Sequence, residues 1–379
     1  MAAMFPEDEY QGRLKRLRAV MAERGLDSII ADEAEMLHYF TGFTISENLY
    51  RTVVIPETGT PTMVVRKLDE QPFVDTAWFD KRRAFDDIED SVAVTAEVLT
   101  ANGAASVGLD MNSYCMTAKR FMHLQELLPA TRFVDLSDVM RALRLNKSAR
   151  EIEVLRKVAW IADESMRRAI AATAVSGASS RTAQAAAANA YIELGADVAR
   201  TGPITVQRGW NFLHGKPSGD PLQPGDVLHL ELVPKVQGYC ARLMRPAVMG
   251  EPSAELTDAA ARLIELQDKQ IAAMVPGAKA RAVDAILREG AVKAGLRPDY
   301  VNNTGYTLGY YFDQAPRTSD FTRLFTPEAD WLLEPGMVFH MYTSAAAGVA
   351  FSETVWVSAD GPVRLTQLER KLFRCGEGG

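Results

Sequence analysis

The sequence predicts two domains, an α/β domain followed by a larger one assembled from two similar halves. Three observations carry this expectation. At 379 residues the chain exceeds one ordinary domain and is comfortable for two. Helical and strand patterns alternate as far as Leu145, and beyond it a stretch of sequence recurs at an offset of 100 residues.

The first helix is marked by Leu14, Leu17 and Met21 on one face, with Gly25 placed to end it. DSIIAD then reads as a strand, EMLHYF as a short helix, and YRTVVIP-ETG-TPTMVVR as a β-hairpin around Glu57-Thr58-Gly59. A helix near residues 90–102 leads to the apolar ASVGLD, and a helix near 115–128 leads to the strand TRFVDL. Such alternation predicts an α/β domain over residues 1–146. Polar residues 144–150, RLNKSAR, form the boundary. Ser148 and Glu151 then make a capping box, opening a helix with Ile152, Leu155, Ala159 and Met166 on one face. The second domain covers residues 147–379.

That domain contains an internal duplication. VSGASSRTAQAAAANAYIELGA from Val175 matches VPGAKARAVDAILREGAVKAGL from Val275, pairing Gly177 with Gly277, Arg181 with Arg281 and Gly195 with Gly295. PGDVLHLEL from Pro224 matches PGMVFHMYT from Pro335, and GYCARLMRP from Gly238 answers GVAFSETVW from Gly348. Pro-Gly before an alternating strand reads as a turn and a strand in both copies. Solenoid repeats recur every 20–50 residues or so; one duplication of this length gives instead two halves facing each other. A pocket belongs at their seam.

Composition narrows the function. Apolar residues at 47% and charged residues at 24% describe a globular chain. The net charge of −7, with no dense Lys/Arg block, argues against nucleic acid as a partner. The start, MAAMFPEDEYQGRLKRL, lacks the apolar core of a signal peptide, and no run of 18 apolar residues occurs. Cys115, Cys240 and Cys375 are too scattered for a disulfide framework or a zinc knuckle. The expectation is a soluble cytoplasmic protein acting on a small molecule, with no membrane partner.

At the motifs EYQGRLKRLRAVMAERGLDSIIADEAEMLHYFTGF, KSAREIEVLRKVAWIADES, EPGMVF and SETVWVSADG the chain resembles the creatinase and methionyl/Xaa-Pro aminopeptidase superfamily. The resemblance implies an α+β pita-bread C-terminal domain with an internal pseudo-two-fold duplication. It also implies five metal-ligand positions, which here hold Glu231, Arg242, Tyr306, Tyr342 and Ser352. Divalent cations want carboxylate or imidazole ligands, a guanidinium has no lone pair to offer, and a phenol near pKa ~10 binds poorly while protonated. The expectation is therefore no metal and no other cofactor.

Within the superfamily the chain is similar to the metal-independent ectoine hydrolases. The shared elements are Asn302 to Tyr306, Phe339-His340, Glu231 and Ser352 to Thr354. His214 falls where creatinase has its catalytic histidine. Two features depart from that pattern: TLGYYFDQAPRT follows the TGY element, and HGKPSGD flanks His214 in metallopeptidase style.

The candidate catalytic residues are Glu231, His214, His340 and Glu353. Glu231 shares a strand face with His229, His214 lies in a loop at the mouth of a site, and the resemblance favours His340 over its repeat partner His229. Arg242 and Arg245 are candidate substrate clamps, or else buried partners of Glu353; Tyr306 and Tyr342 suit a pocket for a small polar ring. The resemblance makes Thr41–Arg51 a loop that reaches the other subunit's site in a homodimer, with Phe43 and Tyr50 as candidate walls or as core residues of their own domain. The preferred reading is a metal-independent hydrolase of a C–N bond in a cyclic amidine or guanidino acid. A lyase or cyclase using the same pocket, and a non-catalytic binding protein, are the alternatives; a metallopeptidase is disfavoured by the ligand count. Glu231 and His340 are expected side by side on adjacent strands at the seam.

Overall fold

The computed structural model describes residues 3–43, 50–207, 213–310 and 322–377. They form two compact units that divide between Arg144 and Leu145.

The first unit is a six-stranded mixed sheet with helices. Its strands are β1 (Ser28–Ala31), β2 (Thr52–Pro56), β3 (Thr62–Arg66), β4 (Arg82–Phe85), β5 (Ser106–Leu109) and β6 (Arg132–Asp135), in the order β4-β3-β2-β1-β5-β6. Helices α1 (Glu7–Arg24), α2 (Ala34–Thr41), α3 (Glu70–Thr76), α4 (Ser91–Ala101), α5 (Ala118–Leu127) and α6 (Ser137–Ala142) complete it. Helix α1 buries Leu14, Leu17 and Met21, and Gly25 ends it with the left-handed φ of 61° that favours glycine. The hairpin β2–β3 pairs as its turn requires. Strand β4 and helices α3 and α6 were not foreseen. β4 reads RRAF, an edge strand half open to solvent, and has no alternation to give it away.

This unit buries several charges. Arg144 pairs with Glu35 at 2.7 Å, and Arg13 donates to the Tyr39 carbonyl at 2.8 Å. Asp32 and Asp110 follow the ends of the parallel neighbours β1 and β5, and both are buried. Burial, opposed by the Ser113 hydroxyl and reinforced by Glu33 and Asp110, pushes the Asp32 carboxyl up to about 7.

In the second unit, helix α7 (Ala149–Ala171) starts at the Ser148–Glu151 capping box and buries Ile152, Leu155, Ala159 and Met166. It packs against α8 (Ser180–Leu194), as α9 (Ala254–Ala272) packs against α10 (Ala280–Lys293). The strands are β7 (Ile204–Gln207), β8 (Val227–Leu232), the two-residue β9 (Lys235–Val236) and β10 (Tyr239–Cys240), β11 (Leu243–Val248), β12 (Gly305–Thr307), β13 (Val338–Ser344), β14 (Ala350–Ser358), β15 (Gly361–Arg364) and β16 (Phe373–Arg374). The main sheet runs β12-β13-β14-β11-β8-β7, with β15 on β14 and β16 on β11.

The duplication is real at the level of hydrogen bonds. Leu222 donates to the Ala178 carbonyl as Leu333 does to Ala278, and Arg181 to Ser218 as Arg281 does to Ala329. Register refines the repeat. Glu231 pairs with Met244 and Tyr342 with Ser352, while Met244 and Ser352 pair with each other. Met244 and Ser352 are thus equivalent residues facing each other across the pseudo-two-fold axis. The alignment from Gly238 and Gly348 is two residues out here, a slip that preserves which face each side chain takes.

The seam also differs from expectation. β11 and β14 meet there, so β8 and β13 are separated by both of them. Each repeat folds its two strands into an antiparallel pair, and the second strand of each pair turns inward.

One prediction concerns Asp32. A carboxyl held near 7 when folded and near 3.8 when unfolded opposes folding increasingly as pH rises between those values. Above them the opposition reaches roughly 4 kcal/mol. Asp32→Asn is therefore expected to raise the urea midpoint at pH 8 and to change it little at pH 4. An equal shift at both values would contradict this.

Candidate active site

Alternation along the strands sorts the side chains into two faces. Leu228, Leu230, Leu232 and Leu243 pack with Ile161, Met166 and Ala169, while Phe339, Met341, Val355 and Val357 pack with Ile271 and Met274. That is the helix-covered face. The other face carries Glu231, Met244, Ser352 and Tyr342 in one row across the sheet. In the next row on this face, His340 pairs with both Tyr306 and Thr354. His229, two residues before Glu231 on β8, pairs with Pro246 and Thr205.

The centre of this face is an ion pair. Arg242 Nη2 lies 3.3 Å from Glu231 Oε1, and both side chains are buried. Arg242 stands one residue before β11, where the Thr354 hydroxyl holds its backbone twice: it accepts from the N–H at 2.8 Å and donates to the carbonyl at 2.9 Å. The guanidinium also sits over Tyr306, 5.6 Å from the ring centroid. Tyr306 meets His340 edge-on at 5.1 Å and Tyr342 at 5.9 Å, while His340 and Tyr342 stack at 5.4 Å. Glu231 Oε2 is buried and has no hydrogen-bond partner among the described residues.

His229 is fully buried, and neither ring nitrogen has a hydrogen-bond partner among the described residues. Burial pushes its imidazole down to about 4, against the pull of the Glu231 charge and with a push from His214. It is neutral at pH 7. His214 is exposed. Its neighbour Gly215 lies so close to β7 that a Cβ there would meet Thr205 Cγ2 at 3.1 Å, which sets this loop beside His229's strand partner. Burial, with Glu231 and Tyr300 adding to it and the arginines opposing it, raises the Tyr342 phenol well above its ordinary range.

A family model described as metallopeptidase family M24 matches residues 153–359, more than half of the chain. The chain belongs to that family. Residues 13–146 match the creatinase/prolidase N-terminal domain. Among the relatives of this M24 chain is the Xaa-Pro dipeptidase of Pyrococcus furiosus, 25% identical over 95% of this chain and 99% of the relative. The ectoine hydrolase of Halomonas elongata is 23% identical over 97% and 98%. The prolidase of Thermococcus sibiricus superposes with a TM-score of 0.83 at 24% identity, covering 96% of this chain and 99% of that one. The pita-bread fold is thereby established.

A metal centre is implied by the family's description, and the residues of this M24 chain do not fit one. Its five positions offer one carboxylate, a guanidinium already paired with that carboxylate, two tyrosines and a serine. The Tyr342 phenol is held protonated, so it offers no anion. Among the described residues no three His, Cys, Asp or Glu side chains gather in a way that could hold a metal ion. No helix among them is long and apolar enough to cross a membrane.

Several candidate residues need correction. Arg245 and Glu353 lie on the helix-covered face, away from Glu231. Arg245 uses all five donors within the fold, on the Glu369, Met244, Ser352 and Leu368 carbonyls and on Glu353 Oε1 at 2.7 Å. Glu353 Oε2 accepts from the Thr366 hydroxyl. Neither group is turned toward a substrate on the other face. Glu353 follows Ser352 directly, and alternation was the signal that separates them.

Phe43 and Tyr50 are also not pocket walls. Phe43 packs edge-on against Phe73, and Tyr50 belongs to a cluster with Ile30, Val54 and Leu109 inside the first unit. Residues 44–49, the middle of the expected capping loop, lie outside the described residues. His340 sits in the aromatic stack, on a strand three positions from that of Glu231, roughly 14 Å across the sheet. The imidazole on Glu231's own strand and face is His229. The sequence placed it there, and the resemblance favoured its repeat partner His340 instead.

Removing Arg245 should test the lower face. Arg245→Leu is expected to lower unfolding stability by about 3–5 kcal/mol, because Glu353 stays buried without its closest cation. Urea denaturation gives the value, and a loss below ~1 kcal/mol would show that Arg364 and Arg370, at 3.7 and 3.6 Å, suffice to balance Glu353.

Proposed function

We propose that this M24 protein is a metal-independent hydrolase of a C–N bond in a small polar molecule, with a cyclic amidine or a guanidino acid as the substrate class. The observation that carries the reading is the Arg242–Glu231 pair, a fixed positive charge built into the fold where the superfamily pattern expects dication ligands. A peptide carbonyl needs strong polarisation before water adds to it. A protonated amidine or guanidinium carbon is already electrophilic.

Glu231 suits such a cation. One of its oxygens faces Arg242 and the other is unpartnered among the described residues, so a planar N–H donor has an acceptor to meet. The rings of Tyr306 and Tyr342 offer flat, electron-rich surfaces to a small charged ring. In the proposed reaction water oxygen bonds to the amidine carbon and gives its proton to Glu231. The C–N bond then breaks, the departing nitrogen takes that proton, and the remaining hydroxyl proton passes to the released amine as C=O forms. General acid–base steps of this kind contribute about 10²–10⁴-fold.

The Halomonas ectoine hydrolase supports this substrate class, and the Pyrococcus Xaa-Pro dipeptidase supports a peptide instead. The decisive assay offers the purified protein ectoine, guanidino acids and proline dipeptides, each with and without chelator. Turnover of an amidine or guanidino substrate that chelator leaves unchanged is expected, with less than ~0.1 divalent metal per chain by elemental analysis. Dipeptide hydrolysis abolished by chelator would replace this reading with the metallopeptidase. Glu231→Gln is expected to abolish turnover with the fold kept; full activity would remove the carboxylate from the chemistry. The homodimer stays part of the proposal, and light scattering that returns a monomer at micromolar concentration would remove it.

A further inference from the structure

We infer that His229 is a further catalytic residue: together with Glu231 Oε2 it holds the water that attacks the substrate carbon. This rests on the hydrolase reading above and gives a catalytic role to the repeat histidine that the resemblance did not favour. Three observations converge on it. His229 and Glu231 are two residues apart on β8 and project from the same face, roughly 7 Å apart along the strand. Both side chains are at least nine-tenths buried, His229 at 0% and Glu231 at 1% exposure. Glu231 Oε2 and both His229 ring nitrogens have no hydrogen-bond partner among the described residues.

Buried polar groups are nearly always satisfied, so two such groups on one face call for a shared polar partner. One water satisfies both groups, with hydrogen bonds of about 2.8 Å to each side, when their polar atoms lie within roughly 5.6 Å of each other. A neutral imidazole keeps one nitrogen lone pair, and a carboxylate is an acceptor only. The water then donates one O–H to Glu231 Oε2 and the other to His229, and its oxygen lone pair is left for the substrate. As the C–O bond forms, the C=N electron pair moves to nitrogen and the proton passes to Glu231. As the C–N bond breaks, its electron pair leaves on the nitrogen, which takes that proton; the remaining hydroxyl proton passes to the released amine as C=O forms, and His229 ends unchanged. The His214–Gly215 loop lies against Thr205, the strand partner of His229.

Among the described residues the equivalent histidine of the other repeat has a different setting. His340 has aromatic neighbours on both sides, Tyr306 at 5.1 Å and Tyr342 at 5.4 Å, and the residue two further along its strand is a tyrosine. The duplication supplied two imidazoles. Among the described residues, His229 is the one with a carboxylate two positions along its own strand.

A crystal structure of the resting protein and the kinetics of His229→Leu test this together. The expected results are an ordered water within hydrogen-bond distance of both His229 and Glu231 Oε2, and a fall in kcat of at least ~10²-fold with KM and melting temperature unchanged. Added imidazole should restore part of the rate to His229→Ala, which a purely structural histidine would not allow. A His229 ring bonded to a protein group, with no shared water, overturns the inference whether or not a substrate is known. So does a His229→Leu enzyme of normal rate. If that variant is active while Glu231→Gln is dead, the inference falls and the hydrolase reading stands; if both are active, both fall.

Discussion

Everything on the candidate face depends on how two strands meet at the pseudo-two-fold axis. β11 and β14 share a single register pair, Met244 with Ser352, which is a slender ladder for joining two halves of a domain. Two side chains make up the difference, one on each face. From the helix side Arg245 reaches the carbonyls of both Met244 and Ser352, tying the two members of that pair to one guanidinium. From the other side the Thr354 hydroxyl takes both backbone groups of Arg242. The partners of Met244 and Ser352 on the flanking strands are Glu231 and Tyr342. The join therefore fixes the carboxylate, the guanidinium and the aromatic wall at once.

The two buried ion pairs answer different needs. Arg245 and Glu353 are saturated, and their value is geometric, since a fully bonded guanidinium under the seam leaves the sheet one register. Arg242 and Glu231 are 3.3 Å apart and leave one carboxylate oxygen without a partner among the described residues. Buried pairs seldom improve stability over well-packed apolar residues, and an unsatisfied buried oxygen makes the balance worse. A site that tolerates such a cost at the centre of a domain has the character of chemistry rather than of scaffolding. This is the physical content of the proposed hydrolase.

Much of the fold was legible because its signals are local. The face of α1, the hairpin at Glu57-Thr58-Gly59 and the Ser148–Glu151 box each need only a few adjacent residues. The duplication was legible for a different reason: both copies use the same turn and the same carbonyl partners, so both keep the same glycines. What was not legible is what pairing decides at long range. Strand order across the seam, the two-residue correction of the second repeat and the burial of Phe43 and Tyr50 depend on partners far away in the chain. Glu353 and Arg245 are a separate case. Their placement was available from alternation alone, once Ser352 and Met244 were assigned to the open face, but a charged residue beside a lost ligand position drew the attention that its face did not warrant.

The duplication also explains why a symmetric scaffold carries an asymmetric site. The fold gives each half the same strand with two inward positions, two residues apart: His229 and Glu231 in one, His340 and Tyr342 in the other. Exchanging a carboxylate for a phenol at one position changes what the conserved geometry can do. Beside Glu231 an imidazole faces an anion and shares with it the need for a hydrogen-bond donor; beside Tyr342 the same ring is stacked, and its neighbour stays protonated. Arg242 spans the two, paired with Glu231 and with its guanidinium carbon over the Tyr306 ring. One half thus presents acceptors and the other presents ring faces, with a fixed cation between them. That polarity comes from side-chain substitution on equivalent strands, so a small planar cation entering this face has only one sensible orientation: its N–H edge to Glu231 and its flat side to the tyrosines.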